Sequence, residues 1–160
     1  MNSLRKPNSQ GFTIIEVVLV LAIAGLIFLI VFLALPALQR SQRDTQRKND
    51  LSRFMSQMTQ YSSNHQGSVP SGNGAGATQW GGFVGSYLTN GGQTFNDPQT
   101  GSTYGVTEQT VTTTLPTAAG QLYVYPNETC SNGALTAGPG NRSVAALIFL
   151  EQGGTACQNN

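Results

Sequence analysis

Few of the 160 residues carry side chains that do chemistry, and those few are scattered. His65 is the only histidine, Cys130 and Cys157 are the only cysteines, and Asp97, Glu108, Glu128 and Glu151 lie far apart along the chain. No H-E-x-x-H, C-x-x-C, P-loop or nucleotide-binding glycine pattern occurs, so metal-assisted hydrolysis and phosphoryl transfer lack their parts. One histidine and two cysteines do not complete a structural zinc site. These residues describe a non-enzyme with no catalytic group, no metal and no cofactor.

Glu16 is the exception, because of where it stands. From Val17 to Leu38 no residue is charged, a run of about 33 Å as a helix, enough to cross a bilayer's hydrocarbon core. An ionised carboxylate in lipid costs several kcal/mol and persists only near the interface or beside a partner. Two readings follow. Glu16 is a solvated headgroup-level residue, or it meets a cation, such as the free amine that a cut after Gly11 would create on Phe12, in the same chain or a neighbour.

Gly11-Phe12-Thr13-Ile14-Ile15-Glu16, preceded by a leader with Arg5 and Lys6 and followed by the unbroken apolar run, resembles the class III signal of type IV pilins and pseudopilins. The resemblance covers residues 5–40. It implies that a prepilin peptidase cuts between Gly11 and Phe12 on the cytoplasmic side and that the new Phe12 amine is N-methylated. Glu16 would then neutralise the Phe12 amine of the adjacent subunit as each chain enters a filament, where an unpaired charge is costly. The partners so implied are copies of this chain, the peptidase, the pilus assembly machinery of the inner membrane, and the membrane itself before assembly. Pro36, in "LPAL", falls later than in the most familiar members. A proline inside a helix removes a hydrogen bond, so Pro36 and nearby Gly25 are the expected points of kinking or melting.

A secretory signal peptide is the rival reading of the apolar run, with Ala34 and Ala37 as a weak cleavage signature. Flanking charge opposes export of the C-terminus, since Arg40, Arg43, Arg47, Lys48 and Arg53 outnumber Arg5 and Lys6. The long polar domain with its cysteine pair still places the C-terminus outside, because long domains translocate largely regardless of charge. An even cysteine count there suggests one disulfide in an oxidising compartment, two unrelated thiols being the alternative. Beyond Arg53, Arg142 is the only basic residue, so the C-terminal region offers no surface for direct nucleic acid binding.

The elements that carry these residues follow from pattern. Leu51, Phe54, Met55, Met58 and Tyr61 recur at three- and four-residue steps, one apolar stripe that continues the helix and packs on the protein's own domain. One helix is expected from about Thr13 to His65, capped near Gly67. Asp44 and Lys48 are spaced for an i,i+4 pair, and Arg40, Arg43 and Arg47 read as a solvated collar. Gly- and Ser-rich loop follows, with a short helix near Phe83–Leu88 and Trp80, Phe83, Tyr87 and Leu88 as anchors. Asp97-Pro98 and Gly101 turn the chain toward Tyr104 and Val106. Strands are expected at Thr110–Leu115, Gln121–Tyr125 and Val144–Leu150.

The fold class is thus α+β: a long N-terminal helix, membrane-spanning then amphipathic, packed on a small antiparallel sheet. Residues 1–11 form a leader, 12–38 the apolar helix, 39–66 its amphipathic continuation, and 67–160 the headpiece with a loop bounded by Cys130 and Cys157. Asn127-Glu128-Thr129 and Asn141-Arg142-Ser143 match the glycosylation sequon, a pattern short enough to arise by chance in so Asn- and Thr-rich a chain. The expected role is a filament subunit in the cytoplasmic membrane before assembly and on the cell surface after it, for adhesion, motility or DNA uptake. A pseudopilin of a type II secretion system and a single-span membrane-anchored binding protein are the alternatives.

Overall fold

A computed structural model of the chain describes residues 11–76, 78–110 and 114–160. Arg5 and Lys6, of the expected leader, lie outside them. The chain divides into two compact units, the first ending at Gln39 and the second spanning Arg40–Asn160. Helix α1, Ile14–Asn64, contributes to both.

In the first unit the helix is apolar on every side and its side chains are exposed. Its most apolar 18-residue window has a mean hydropathy of 3.3 and buries nothing. A helix apolar all round needs lipid or other helices about it. Pro36 lies within α1, which continues through it.

In the second unit the helix changes partners. Leu51, Phe54, Met55, Met58 and Tyr61 are all buried, each such side chain stabilising the fold by roughly 1.5–3 kcal/mol. The helix stops as its sequence requires. Gly67 takes φ 84°, a left-handed value that costs glycine little, and its N–H donates to the Ser62 carbonyl at 2.7 Å.

The sheet packed on this face has four strands, β1 (Gly105–Glu108), β2 (Gln121–Pro126), β5 (Val144–Phe149) and β6 (Thr155–Asn159), in the order β1-β2-β5-β6. β2–β5 and β5–β6 are antiparallel, as expected, whereas the edge pair β1–β2 runs parallel. The cause is the connection. Residues 109–120 carry Pro116 and Gly120 and are long enough to return the chain to the start of the sheet, as a parallel pair demands. Of the strand expected at Thr110–Leu115, residues 111–113 lie outside those described, and Thr110, Thr114 and Leu115 are in no strand.

A second sheet is the hairpin β3 (Glu128–Ser131) and β4 (Ala134–Ala137). Its two-residue turn, Asn132-Gly133, has φ 52° and 79°, the pair of positive values that suits a twisted hairpin. The hairpin explains why β5 reads as a continuous apolar run. Val144, Ala146 and Ile148 join the core under the helix, while Ala145 and Leu147 pack on the other face with Tyr125, Leu135 and the cysteines.

The short helix near Phe83–Leu88 is present, starting earlier: α2 (Trp80–Phe83) runs into a π-helical turn, Val84–Leu88. Trp80 is fully buried against Phe54, so it anchors its loop.

Candidate functional site

The start of α1 is built as a reciprocal cap. Thr13 precedes the first helical residue and Glu16 is the third within it. The Thr13 N–H and hydroxyl each donate to Glu16 Oε2 at 2.8 Å, and the Glu16 N–H points back to Thr13 Oγ1 at 3.4 Å. This is a capping box, which satisfies helix N–H groups that have no partner in the helix. Its signature, Thr-x-x-Glu, stands in the sequence at residues 13–16 and marks the helix start there. Among the described residues Glu16 Oε1 has no hydrogen-bond partner, so one carboxylate oxygen serves the helix and the other is free.

Phe12 is 89% exposed and lines an open apolar notch with Val17, Val20 and Leu21, with Glu16 on its wall. Gly11 precedes it outside the helix, and a Cβ there would meet nothing within 4 Å. Nothing within the described chain therefore requires glycine at this position. The same holds for Gly25, within the helix. Phe12 and Glu16 thus share one notch, while Gly25 and Pro36 lie further along α1.

Cys130 and Cys157 form a disulfide, Cα atoms 5.9 Å apart, which ties β3 of the hairpin to β6 of the main sheet. Tyr125 packs beside it and donates its hydroxyl to the Thr114 carbonyl. Burial, and then the nearby Tyr123, push the Tyr125 phenol up to about 12.

The sequence did not disclose a buried ionic cluster at the start of the second unit, and here the solvated-collar reading is overturned. Arg40 is exposed, but Arg47 is fully buried and Arg43 is half-buried. Arg47 forks onto Asp97, Nε to Oδ2 at 2.7 Å and Nη2 to Oδ1 at 3.1 Å. Its Nη1 also donates to Asp44 Oδ1 at 3.1 Å and Glu151 Oε1 at 2.8 Å. Arg43 closes the cluster with two bonds to Glu151, at 2.7 and 2.6 Å. Asp44 makes no pair with exposed Lys48. It turns inward and accepts the Glu151 and Gln152 N–H groups of the β5–β6 turn.

Asp97 Oδ1 also accepts the Gln99 and Thr100 N–H groups, which explains the turn built on Asp97-Pro98. Burial pushes the Asp97 carboxyl up, but the hydrogen bonds from Arg47, Thr100 and Gln99 outweigh it and hold the group below its ordinary value. Glu151 is likewise held down, first by the hydrogen bond from Arg43, against burial and with help from Arg47. No signal in the local sequence marks this cluster, since Asp97 and Glu151 stand 50 and 104 residues from Arg47. Breaking any one of these buried pairs would leave a charge without its partner.

A family model described as the prokaryotic N-terminal methylation motif matches residues 6–32. No curated protein and no solved structure matches the chain. The matched residues include Gly11, Phe12, Glu16 and Gly25 and end before Pro36. The motif's family is structural rather than enzymatic, and with the apolar α1 it fits a membrane-anchored precursor. The chain therefore begins with a class III signal segment of the kind that type IV pilins and pseudopilins carry.

Proposed function

We propose that the chain is a type IV pilin, a structural subunit that polymerises through α1 into a surface filament. The observation that carries this reading is the junction at Gly11-Phe12-Thr13-Ile14-Ile15-Glu16, which opens a helix apolar on all sides and exposed along its first half. A prepilin peptidase removes residues 1–11, and Gly11 suits that cut because a residue without a side chain lets a membrane-embedded protease approach the backbone. The freed Phe12 amine is then methylated.

Each new subunit enters with a cation at Phe12 and a carboxylate at Glu16. Glu16 Oε2 stays committed to Thr13, while Oε1 is free to accept the ammonium of a neighbour. In a dry helix bundle an unpaired carboxylate is disfavoured by several kcal/mol, so pairing selects one stagger between subunits. The apolar residues 12–38 hold the precursor in the cytoplasmic membrane with the second unit outside, and the same residues form the filament core after assembly. Pro36 leaves the Phe32 carbonyl without its helical donor, the natural place for α1 to open on packing.

The test is to shear the cell surface, label the fraction with an antibody to residues 67–160 and examine it by electron microscopy. Labelled filaments are expected. Processed chain confined to the membrane fraction would favour the second reading, a pseudopilin, to which the same N-terminal motif belongs.

A further inference from the structure

Both sequons of the chain fall in the second unit and, although Asn127 and Asn141 stand well apart in sequence, the fold brings them to one corner. The Asn127 N–H donates to the Ser143 carbonyl at 2.8 Å, and the Asn127 carbonyl accepts the Gly138 N–H at 2.7 Å. The last residue of one sequon is therefore bonded to the first residue of the other. Asn127 is the single residue between β2 and β3, at φ 65°, and Asn141 lies in the turn region before β5. Both are exposed.

Their side chains are also unoccupied. Asn73, Asn96, Asn159 and Asn160 each use side-chain amide atoms in hydrogen bonds that hold loops or strand ends. Among the described residues Asn127 and Asn141 make no side-chain hydrogen bond, nor do Asn49, Asn90 and Asn132, and of these five only Asn127 and Asn141 have a hydroxyl residue two positions on. An exposed asparagine with a hydroxyl two residues on, in a surface loop of an exported domain, is the pattern that an N-glycan acceptor presents.

We infer that this corner is an N-glycan acceptor site, with Asn127 and Asn141 as the acceptors and a polyisoprenyl-diphosphate-linked oligosaccharide as the donor. The Asn Nδ2 bonds to the anomeric carbon of the first sugar. The bond from that carbon to the diphosphate oxygen breaks, the lipid diphosphate leaves with the electron pair, and one amide proton passes to the transferase. Thr129 and Ser143 supply the hydroxyls that the transferase reads. The site lies on exposed residues at the β2–β3 corner, where a bulky polar group displaces no core residue. The inference rests on the reading that the second unit is exported.

The experiment uses the full protein isolated from the cells that make it, digested so that the two asparagines fall in separate peptides, before and after an amidase that cleaves the glycan–asparagine bond. A sugar-sized mass on either peptide is expected, replaced after the amidase by an aspartate carrying one solvent oxygen. Thr129→Val should clear the Asn127 peptide alone, and Ser143→Ala the Asn141 peptide alone. A chain beginning at Phe12 with both peptides at their unmodified masses overturns the acceptor site and leaves the export reading standing. A chain beginning at Met1 with bare asparagines overturns both. Sugar retained at both sites after loss of the hydroxyls, or carried on serine or threonine instead, also overturns the proposal.

Discussion

Arg47 and Asp97, fifty residues apart in sequence, form a two-pronged ion pair at 2.7 and 3.1 Å with both side chains fully buried. The pair joins α1 to the turn before β1, and through Glu151 and Asp44 the same guanidinium reaches the β5–β6 turn. Removing one member leaves buried charge without a partner, which costs about 3–5 kcal/mol. Asp97→Asn and Arg47→Met should each lower unfolding stability by that order, read from denaturant midpoints of the detergent-solubilised chain. The double variant should lose less than the sum of the two. Full additivity would show that the two residues do not act on one another.

Acid should weaken the same cluster. Asp97 and Glu151 have carboxyls held below the ordinary value, so the folded state binds their protons less readily than the unfolded chain. Their contribution is complete above the ordinary carboxylate range, about pH 4, and is lost as pH falls through the lowered folded values. Asp50 acts with the opposite sign: burial raises it, outweighing Tyr104 and Arg53, so its contribution fades as pH rises through its raised value. Asp97 and Glu151 are bonded to Arg47 and Asp50 is not, so the Arg47→Met difference isolates the first two. Denaturant midpoints should fall below about pH 4 and flatten in Arg47→Met; a midpoint that rises on acidification would contradict the assignment.

The disulfide holds the β3–β4 hairpin over the sheet by closing a separation of 27 residues. In the chain-entropy account a loop of that size contributes about 3–4 kcal/mol. Reduction, or Cys130→Ser with Cys157→Ser, should cost that order of stability and increase proteolysis within residues 128–137. Equal protease resistance in both redox states would mean that Leu135, Leu147 and Tyr125 alone hold the hairpin.

Glu16 caps α1, and the assembly role proposed for it can be separated from that cap. Glu16→Gln keeps a side chain able to accept from Thr13 but removes the charge, so it should leave helix content and processing intact while abolishing filaments. Glu16→Ala should lose filaments and also fray the first turn, a cap loss of about 0.5–2 kcal/mol. Filaments of normal number from the Gln variant would remove the charge-pairing argument and leave Glu16 as a cap.

What the sequence disclosed was what is local. The stripe from Leu51 to Tyr61, the stop at Gly67 and the apolar runs that became β2 and β5 depend on neighbours within a few residues, and each lies where its pattern places it. The ionic cluster was not legible, because Arg43 and Arg47 find Glu151 and Asp97 only after the chain has folded back on α1. Arginines near an apolar span look like a headgroup collar until their partners are known. The hairpin inside the loop expected between Cys130 and Cys157 turns on Asn132-Gly133, a strong two-residue turn signal masked by the other glycines around it. β6 gave no signal. "TACQN" has little strand character, and the register with β5 and the bond to Cys130 make it a strand.

The central claim is that the chain is cut between Gly11 and Phe12 and then assembled, and an intact mass with N-terminal fragmentation reads it directly. Protein sheared from the cell surface should begin at N-methylated Phe12 and carry the Cys130–Cys157 disulfide. A chain that begins at Met1 in every fraction would contradict the account and reduce Glu16 to the cap of a membrane helix.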